Sequence, residues 1–473
     1  MTYLLESSPL HNPILHLTDQ KKQEKANEII SQFKLTKNQL DKIREKFLYE
    51  INLGLNEPSK AGTKECSLYM INTFITSLPN GKEEGDFLSL DLGSTNFRVC
   101  LSTLANQQDQ FNVKYYDIPD AMRTGNAETL FNHIVECIDN FMNDYPKLKE
   151  KNLLLGFTFS YPMKQESLNI GKLVTWTKSY DIKDAIGQDA AQLLQKAIDR
   201  KGLKINVAAI LNDSSGTLVK GIYLDQDCGV GVIMGSGFNA CYLEKMEKVS
   251  SFKQIDDTRS DRVLINLECG GFGDNGSIDF AKTPIDKQVD QDSLFAGSFT
   301  YEKLLSGVFI GDIARRVFLQ LAKQGLLFNG VVSKQLENSE SFTAKHISLI
   351  EGENSDAKTR EIVSKNLGYS EFSDDDVAIV KHVCAVLSVR AALFVAILIS
   401  TLIERIDRPV TKVAIDGSLY KHHPKIKRLL TDFIGQLAPG RQFDHYLAED
   451  GSGKGAGLVV AALYRERLLR GSL

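Results

Sequence analysis

The chain has 473 residues, 42% of them hydrophobic and 25% charged, the profile of a soluble globular protein too long for one compact core. Its net charge of −4 gives no electrostatic reason to expect nucleic acid or an anionic membrane as partner. The seven cysteines are scattered and lack any CxxC spacing, which argues against a disulfide or structural-zinc framework and for a reducing, cytoplasmic setting.

Residues 1–35 are polar and irregular, carry a run of Lys and Glu, and contain no apolar segment of signal-peptide type. Thr36-Lys-Asn-Gln39 reads as a capping box, after which Leu40, Ile43, Phe47 and Ile51 share one face of a helix ending near Gly54. Residues 58–62 read as a loop. Residues 87–101 then alternate apolar with small or polar side chains on either side of Asp91-Leu-Gly-Ser-Thr-Asn96, the pattern of a strand, a tight turn and a second strand. Such a tip gathers backbone N–H groups, hydroxyls and one carboxylate. Clustered N–H groups bind phosphate, and a carboxylate beside them can hold a hydrated Mg²⁺. Taken alone, the stretch reads more plainly as an ordinary hairpin whose Asp and Asn cap the turn.

An amphipathic segment near 130–145 is followed by a strand-like run, Leu153-Leu-Leu-Gly-Phe-Thr-Phe-Ser160, stopped at Tyr161-Pro162. A helical pattern covers about 184–198, and the apolar run 207–211 ends at Asn212-Asp213. Residues 230–242 repeat the strand–turn–strand logic around Gly235-Ser-Gly237. Helical patterns cover about 301–324 and 376–406. Within the latter, 391–403 is strongly apolar but shorter than the roughly 20 residues a bilayer needs, so a buried core helix is expected. Val413-Ala-Ile-Asp416 leads into Gly417-Ser418, and Gly451-Ser-Gly-Lys-Gly-Ala-Gly457 opens an apolar C-terminal helix. Alternating strands and helices place the chain in the α/β class. The three Gly/Ser turns are not a Rossmann fingerprint, and Gly455 after Lys454 rules out a Walker A loop. They suit a nucleotide held by two hairpin tips with a third turn beside the adenosine, helped by helix N-termini.

Seven blocks in matching order make the chain resemble the hexokinase family, specifically the single-unit hexokinases of animals, over residues 36–465. They are Leu155-Gly-Phe-Thr-Phe-Ser-Tyr-Pro162 with Trp176-Thr-Lys178, Asn212-Asp213 with Gly216-Thr217, Asn239-Ala-Cys-Tyr242, Tyr301-Glu-Lys303, Asp416-Gly-Ser-Leu-Tyr420 and Glu449-Asp-Gly-Ser-Gly-Lys-Gly455, besides the first hairpin. The resemblance implies a two-lobed actin-like ATPase fold with sugar and ATP in the interlobe cleft. Residues 1–80 and 213–446 would form the large lobe, and 81–212 and 447–473 the small one. The implied reaction is transfer of the γ-phosphoryl of ATP, carried with Mg²⁺, to the 6-hydroxyl of a hexose, glucose first, as the opening step of glycolysis.

The resemblance also assigns roles. Asp213 would be the general base, since a primary alcohol needs a proton acceptor in line with phosphorus. Lys178 would neutralise charge on the moving phosphoryl and touch the sugar. Ser160, Thr177, Asn212, Asn239, Glu268 and Glu302, with Lys178 and Asp213, would bind sugar hydroxyls. A surface pairing of Glu302 with Lys303 or Arg315 is its plainer alternative. Asp91, Gly93, Ser94, Thr95, Asn96, Arg98, Gly235, Ser236, Gly237, Asp416, Gly417 and Ser418 would hold ATP. No side chain would ligate the metal directly; Asp91 would reach it through water. A monomer is expected, with small-molecule partners, no nucleic acid and no transmembrane segment.

The chain also departs from the family pattern. Ser94 stands where a second glycine is usual, Ser179 follows Lys178 in place of glycine, Cys269 replaces a tryptophan, and Phe238 stands where a small residue is common. A sugar-binding sensor with weak catalysis is therefore the second reading. An actin-like chaperone ATPase would have no use for the segment from Ser160 to Lys178.

Overall fold

Two mixed sheets organise the structure, a computed structural model that describes residues 13–93, 97–105, 109–177, 180–250 and 261–469. The first sheet has five strands in the order Gln110–Tyr116, Phe97–Leu104, Gly85–Leu92, Leu153–Phe159 and Ile205–Leu211. Its last three are mutually parallel. Parallel strands are covered on both faces and so read as continuous apolar runs, which is the pattern seen at 153–159 and 207–211. The helices Ala127–Met142 and Ala190–Lys201 cover one face with Leu88, Leu90 and Leu92, while the helix Gly451–Leu469 covers the other with Phe87 and Ala209.

The second sheet has six strands, ordered Ile71–Asn72, Arg262–Asn266, Phe238–Lys245, Cys228–Met234, Val410–Asp416 and Gln442–Leu447. Its core is dominated by the helix Asp374–Ile406, opened by a capping box between Ser373 and Asp376. This helix is long and apolar enough to cross a membrane, but 94% of its apolar window is buried inside the protein, as a core helix requires. Within it the Arg390 guanidinium donates two 2.8 Å bonds to Asp286, and both side chains are almost wholly buried.

The helix Asp213–Leu224 crosses Gly451–Leu469 between the two sheets. Glycines make the packing of Gly451–Leu469 close on both sides: a Cβ on Gly455 would stand 1.9 Å from the Gly216 carbonyl oxygen of the crossing helix, and one on Gly156, in the strand Leu153–Phe159, would stand 2.2 Å from that of Ala456. A side chain at either glycine would push the last helix off its neighbour.

The expected helix after Thr36 spans Lys37–Asn56, with the capping box to Gln39 formed. Other expectations need correction. The N-terminal stretch is not irregular throughout: Gln20–Ile30 is a helix, N-capped by Asp19 and buried through Ala26, Ile29 and Ile30. The pattern at 184–198 begins its helix only at Ala190, because Asp189 caps it. The pattern at 301–324 is two helices, Thr300–Leu305 and Gly307–Lys323, broken where Ser306 turns extended.

Candidate active site

Parallel strands carry their C-terminal ends to one edge of a sheet, where ligands commonly bind. In the five-stranded sheet Leu92 pairs with Phe159 and Thr158 with Leu211, so the residues just beyond these strands, Gly93, Ser160, Asn212 and Asp213, come out side by side. The Tyr161 hydroxyl donates to the Gly93 carbonyl at 3.1 Å, tying the turn after Phe159 to the first hairpin tip. Burial pushes the Tyr161 phenol well up, which keeps that donor protonated. Ser160 is buried and Thr177 half-buried. Trp176 sits inside an aromatic cluster, stacked on Tyr180 at 5.3 Å and edge-on to Tyr161 at 4.8 Å, with its indole N–H donating to the Ile182 carbonyl.

Asn212 is the N-cap of the helix Asp213–Leu224 and accepts from the Ser214 amide at 3.0 Å. Asp213 is the first residue of that helix, where the exposed N–H groups favour a carboxylate. Its Oδ1 accepts from the Ser214 amide at 2.8 Å.

The second sheet meets this point through a network of side chains. Asn212 donates to Glu268 Oε1 at 3.2 Å, and Asn239 donates to Asn212 Oδ1 at 3.1 Å. Asn239 Oδ1 in turn accepts from the amides of Ala240 and Cys269, so its whole amide is engaged within the protein. Glu268 stands in the left-handed region at φ 50°, a conformation that costs a non-glycine residue about 1 kcal/mol or more. Glu302 accepts from the Phe238 amide at 2.7 Å. Its plainer alternative does not hold, because Lys303 pairs with Asp290 and Arg315 with Asp312. A Cβ on Gly237 would lie 2.7 Å from Glu302 Oε2, so a side chain there would displace the carboxylate.

The expected nucleotide turns also converge. Gly417, at φ 121°, lies so near Met234 that a Cβ on it would be 2.5 Å from that backbone, and only glycine fits. The Gly307 amide donates to the Gly235 carbonyl and the Val308 amide to that of Ser236, placing a helix N-terminus behind the second tip. Ser418 is exposed. Asp416 accepts from the amides of Gly417 and Gly451; burial pushes its carboxyl up.

Asp91 and Arg98 pair with each other. They are cross-strand partners, and Asp91 Oδ2 takes both Arg98 Nε at 2.9 Å and Nη2 at 2.6 Å, besides the Ser452 hydroxyl at 2.6 Å. Arg98 Nη1 reaches Asp450 at 2.6 Å. Burial disfavours the guanidinium, but the two carboxylates outweigh it and raise its pKa. Arg98 therefore locks the hairpin to the start of the last helix. Ser94, Thr95, Asn96 and Lys178 lie outside the described residues. Among the described residues no group of three or more His, Cys, Asp and Glu side chains is arranged to hold a metal.

Sequence reasoning missed Asn266, Ser214, Asp450 and Ser452. The last two fall in a quoted block, and Asn266 ends an apolar strand two residues before Glu268, the only signals available.

Two hexokinase family models match the chain, over residues 25–223 and 229–462. Human hexokinase-1 is 37% identical over 450 residues, covering 93% of this chain and 48% of that protein. The mouse protein Hexokinase HKDC1 is 37% identical over 453 residues, covering 94% and 48%. The chain thus spans about half the length of the curated relatives it matches. The solved hexokinase of Schistosoma mansoni, complexed with glucose, is 34% identical with a TM-score of 0.85, covering 94% of this chain and all of that one. The paired sheets, the carboxylates and amides at their meeting edge, and likeness along nearly the whole sequence have one common explanation: the chain belongs to the hexokinase family.

Proposed function

We propose that the chain phosphorylates a hexose, glucose first, by moving the γ-phosphoryl group of ATP to the 6-hydroxyl, with Asp213 as general base. The observation that carries this reading is the bond from Asn212 to Glu268, which joins the two sheets beside Asp213. A set of amides and carboxylates at that point can recognise hydroxyls by direction, and a sugar lacking one would leave a buried partner unpaired. Asp213 would take the proton of the 6-hydroxyl as its oxygen bonds phosphorus and the bond to ADP breaks. Gly235, Gly237 and Gly417 would let backbone approach the nucleotide, and Lys178 would offset charge on the moving group. Mg²⁺ would arrive on the ATP phosphates and neutralise them. The Asp91 carboxylate already serves Arg98 and Ser452 through Oδ2, so any contribution from it to holding the ion would pass through Oδ1 and water. We place 1–80 with 213–446 and 81–212 with 447–473 as the two lobes, in a monomer working in a reducing cytoplasm at the entry to glycolysis. Seven free, buried cysteines support that setting.

ADP release measured with a panel of hexoses tests the reading. Glucose-dependent turnover is expected; saturable sugar binding without turnover would favour the sensor. Closure of the lobes over the sugar would exclude water and protect ATP from hydrolysis. Trp176, the single tryptophan, lies between Ser160 and Lys178 in the sequence and packs against Tyr161, so glucose should change its fluorescence saturably and ATP alone only weakly. No sugar-dependent change, with small-angle scattering also unaltered, would count against closure.

A further inference from the structure

Asn266 ends the strand Arg262–Asn266 and is only 2% exposed, yet it touches three of the side chains just discussed. Its Nδ2 donates to Glu268 Oε1 at 2.7 Å. Its Oδ1 accepts from Asn239 Nδ2 at 3.0 Å and from the Ser214 hydroxyl at 3.3 Å. An ionised carboxylate only accepts hydrogen bonds, so the amide nitrogen of Asn266 must face Glu268 and its carbonyl must face Asn239. That choice propagates. Asn239 then points its NH₂ at Asn266 and Asn212, and its carbonyl at the backbone amides of Ala240 and Cys269. One buried amide sets the donor and acceptor sense of its neighbours and holds a glutamate whose own backbone is strained.

We propose that Asn266 is a positioning residue for hexose recognition: it reaches no sugar itself, but fixes Glu268 in the orientation in which its carboxylate meets sugar hydroxyls. The inference rests on the hexose-phosphorylation reading above. Asn212 supplies the other amide on Glu268 Oε1, but it also caps a helix, so its orientation is set by the Ser214 amide. Asn266 Oδ1 also accepts from the Glu268 backbone amide at 3.4 Å, so this one side chain ties both the backbone and the carboxylate of Glu268.

The test compares Asn266→Ala and Asn266→Asp with wild type, varying hexose and ATP separately. Asn266→Asp keeps the shape and the acceptor facing Asn239, loses the donor facing Glu268, and covers the case in which the alanine variant does not fold. Loss of one charge-assisted bond should raise the hexose KM about tenfold or more and leave the ATP KM within about twofold. In a Glu268→Gln background, adding Asn266→Asp should change the hexose KM by less than about twofold, because that change keeps the acceptor facing Asn239 and Ser214 and alters only the contact to residue 268. A general packing role would not produce that coupling. Unchanged hexose KM in folded single variants, or effects that add fully in the double variant, would overturn the proposal. A wild-type protein without hexose-dependent turnover overturns the functional reading itself, a result distinct from an active wild type with indifferent variants.

Discussion

Asp213→Ala is expected to lower kcat by at least about 10²-fold while glucose still binds within a few-fold of its wild-type affinity. The reason is local. Asp213 is the first residue of a helix whose cap, Asn212, is held from both sides by Ser214 and Glu268, so the backbone carrying the carboxylate is fixed independently of that carboxylate. Removing it should take away the proton acceptor without unbuilding the sugar site. Asp213→Asn, of the same shape, should behave alike. Turnover from ADP release and binding from Trp176 fluorescence separate the two effects. A variant that keeps near wild-type turnover removes Asp213 from the mechanism.

The largest effect on stability is expected far from the chemistry. Burial pushes the Asp286 carboxyl up, but the Arg390 guanidinium outweighs it and leaves the carboxyl below its ordinary range. Asp286 also closes the capping box with Thr283, and the Arg390 guanidinium lies 4.8 Å over the Phe33 ring, which ties in the N-terminal segment. Asp286→Ala leaves a buried guanidinium without its partner and should cost about 3–5 kcal/mol in a urea titration. Replacing both members with apolar residues of similar volume should cost far less, since a buried pair also carries a desolvation penalty. A single-variant loss below about 1 kcal/mol would mean that water or another acceptor reaches Arg390.

These two predictions draw on different parts of what the sequence made legible. Asp213 could be singled out because strand, helix cap and turn chemistry are all local, within residues 205–214. The Thr36–Gln39 box and the buried helix around 391–403 were legible for the same reason. The N-terminal helix Gln20–Ile30 was not, because its sequence is mostly polar and only Ala26, Ile29 and Ile30 are buried, too few to show a period. The break at Ser306 hides inside a sequence that is helical on both sides. The amides of Gly307 and Val308 there bond back to Gly235 and Ser236, a contact that no local pattern encodes. Asn266 was hard to single out for a like reason: Glu268 is two residues on, but Asn239 and Ser214, which complete its bonds, are 27 and 52 residues away. The pairing of Asp91 with Arg98 was within reach: a turn closed by Leu92 opposite Phe97 puts the two directly across from each other. Taken singly, Arg98 suits phosphate and Asp91 a hydrated Mg²⁺, but the register shows each as the other's partner.

Phosphoryl transfer to the 6-hydroxyl is read out by comparing glucose with 6-deoxyglucose as acceptors for ATP, following ADP and the product by phosphorus NMR. One ADP per glucose 6-phosphate is expected with glucose, and binding without transfer with 6-deoxyglucose. Absence of ADP release with glucose and every other hexose, or equal phosphorylation of the 6-deoxy sugar, would contradict it.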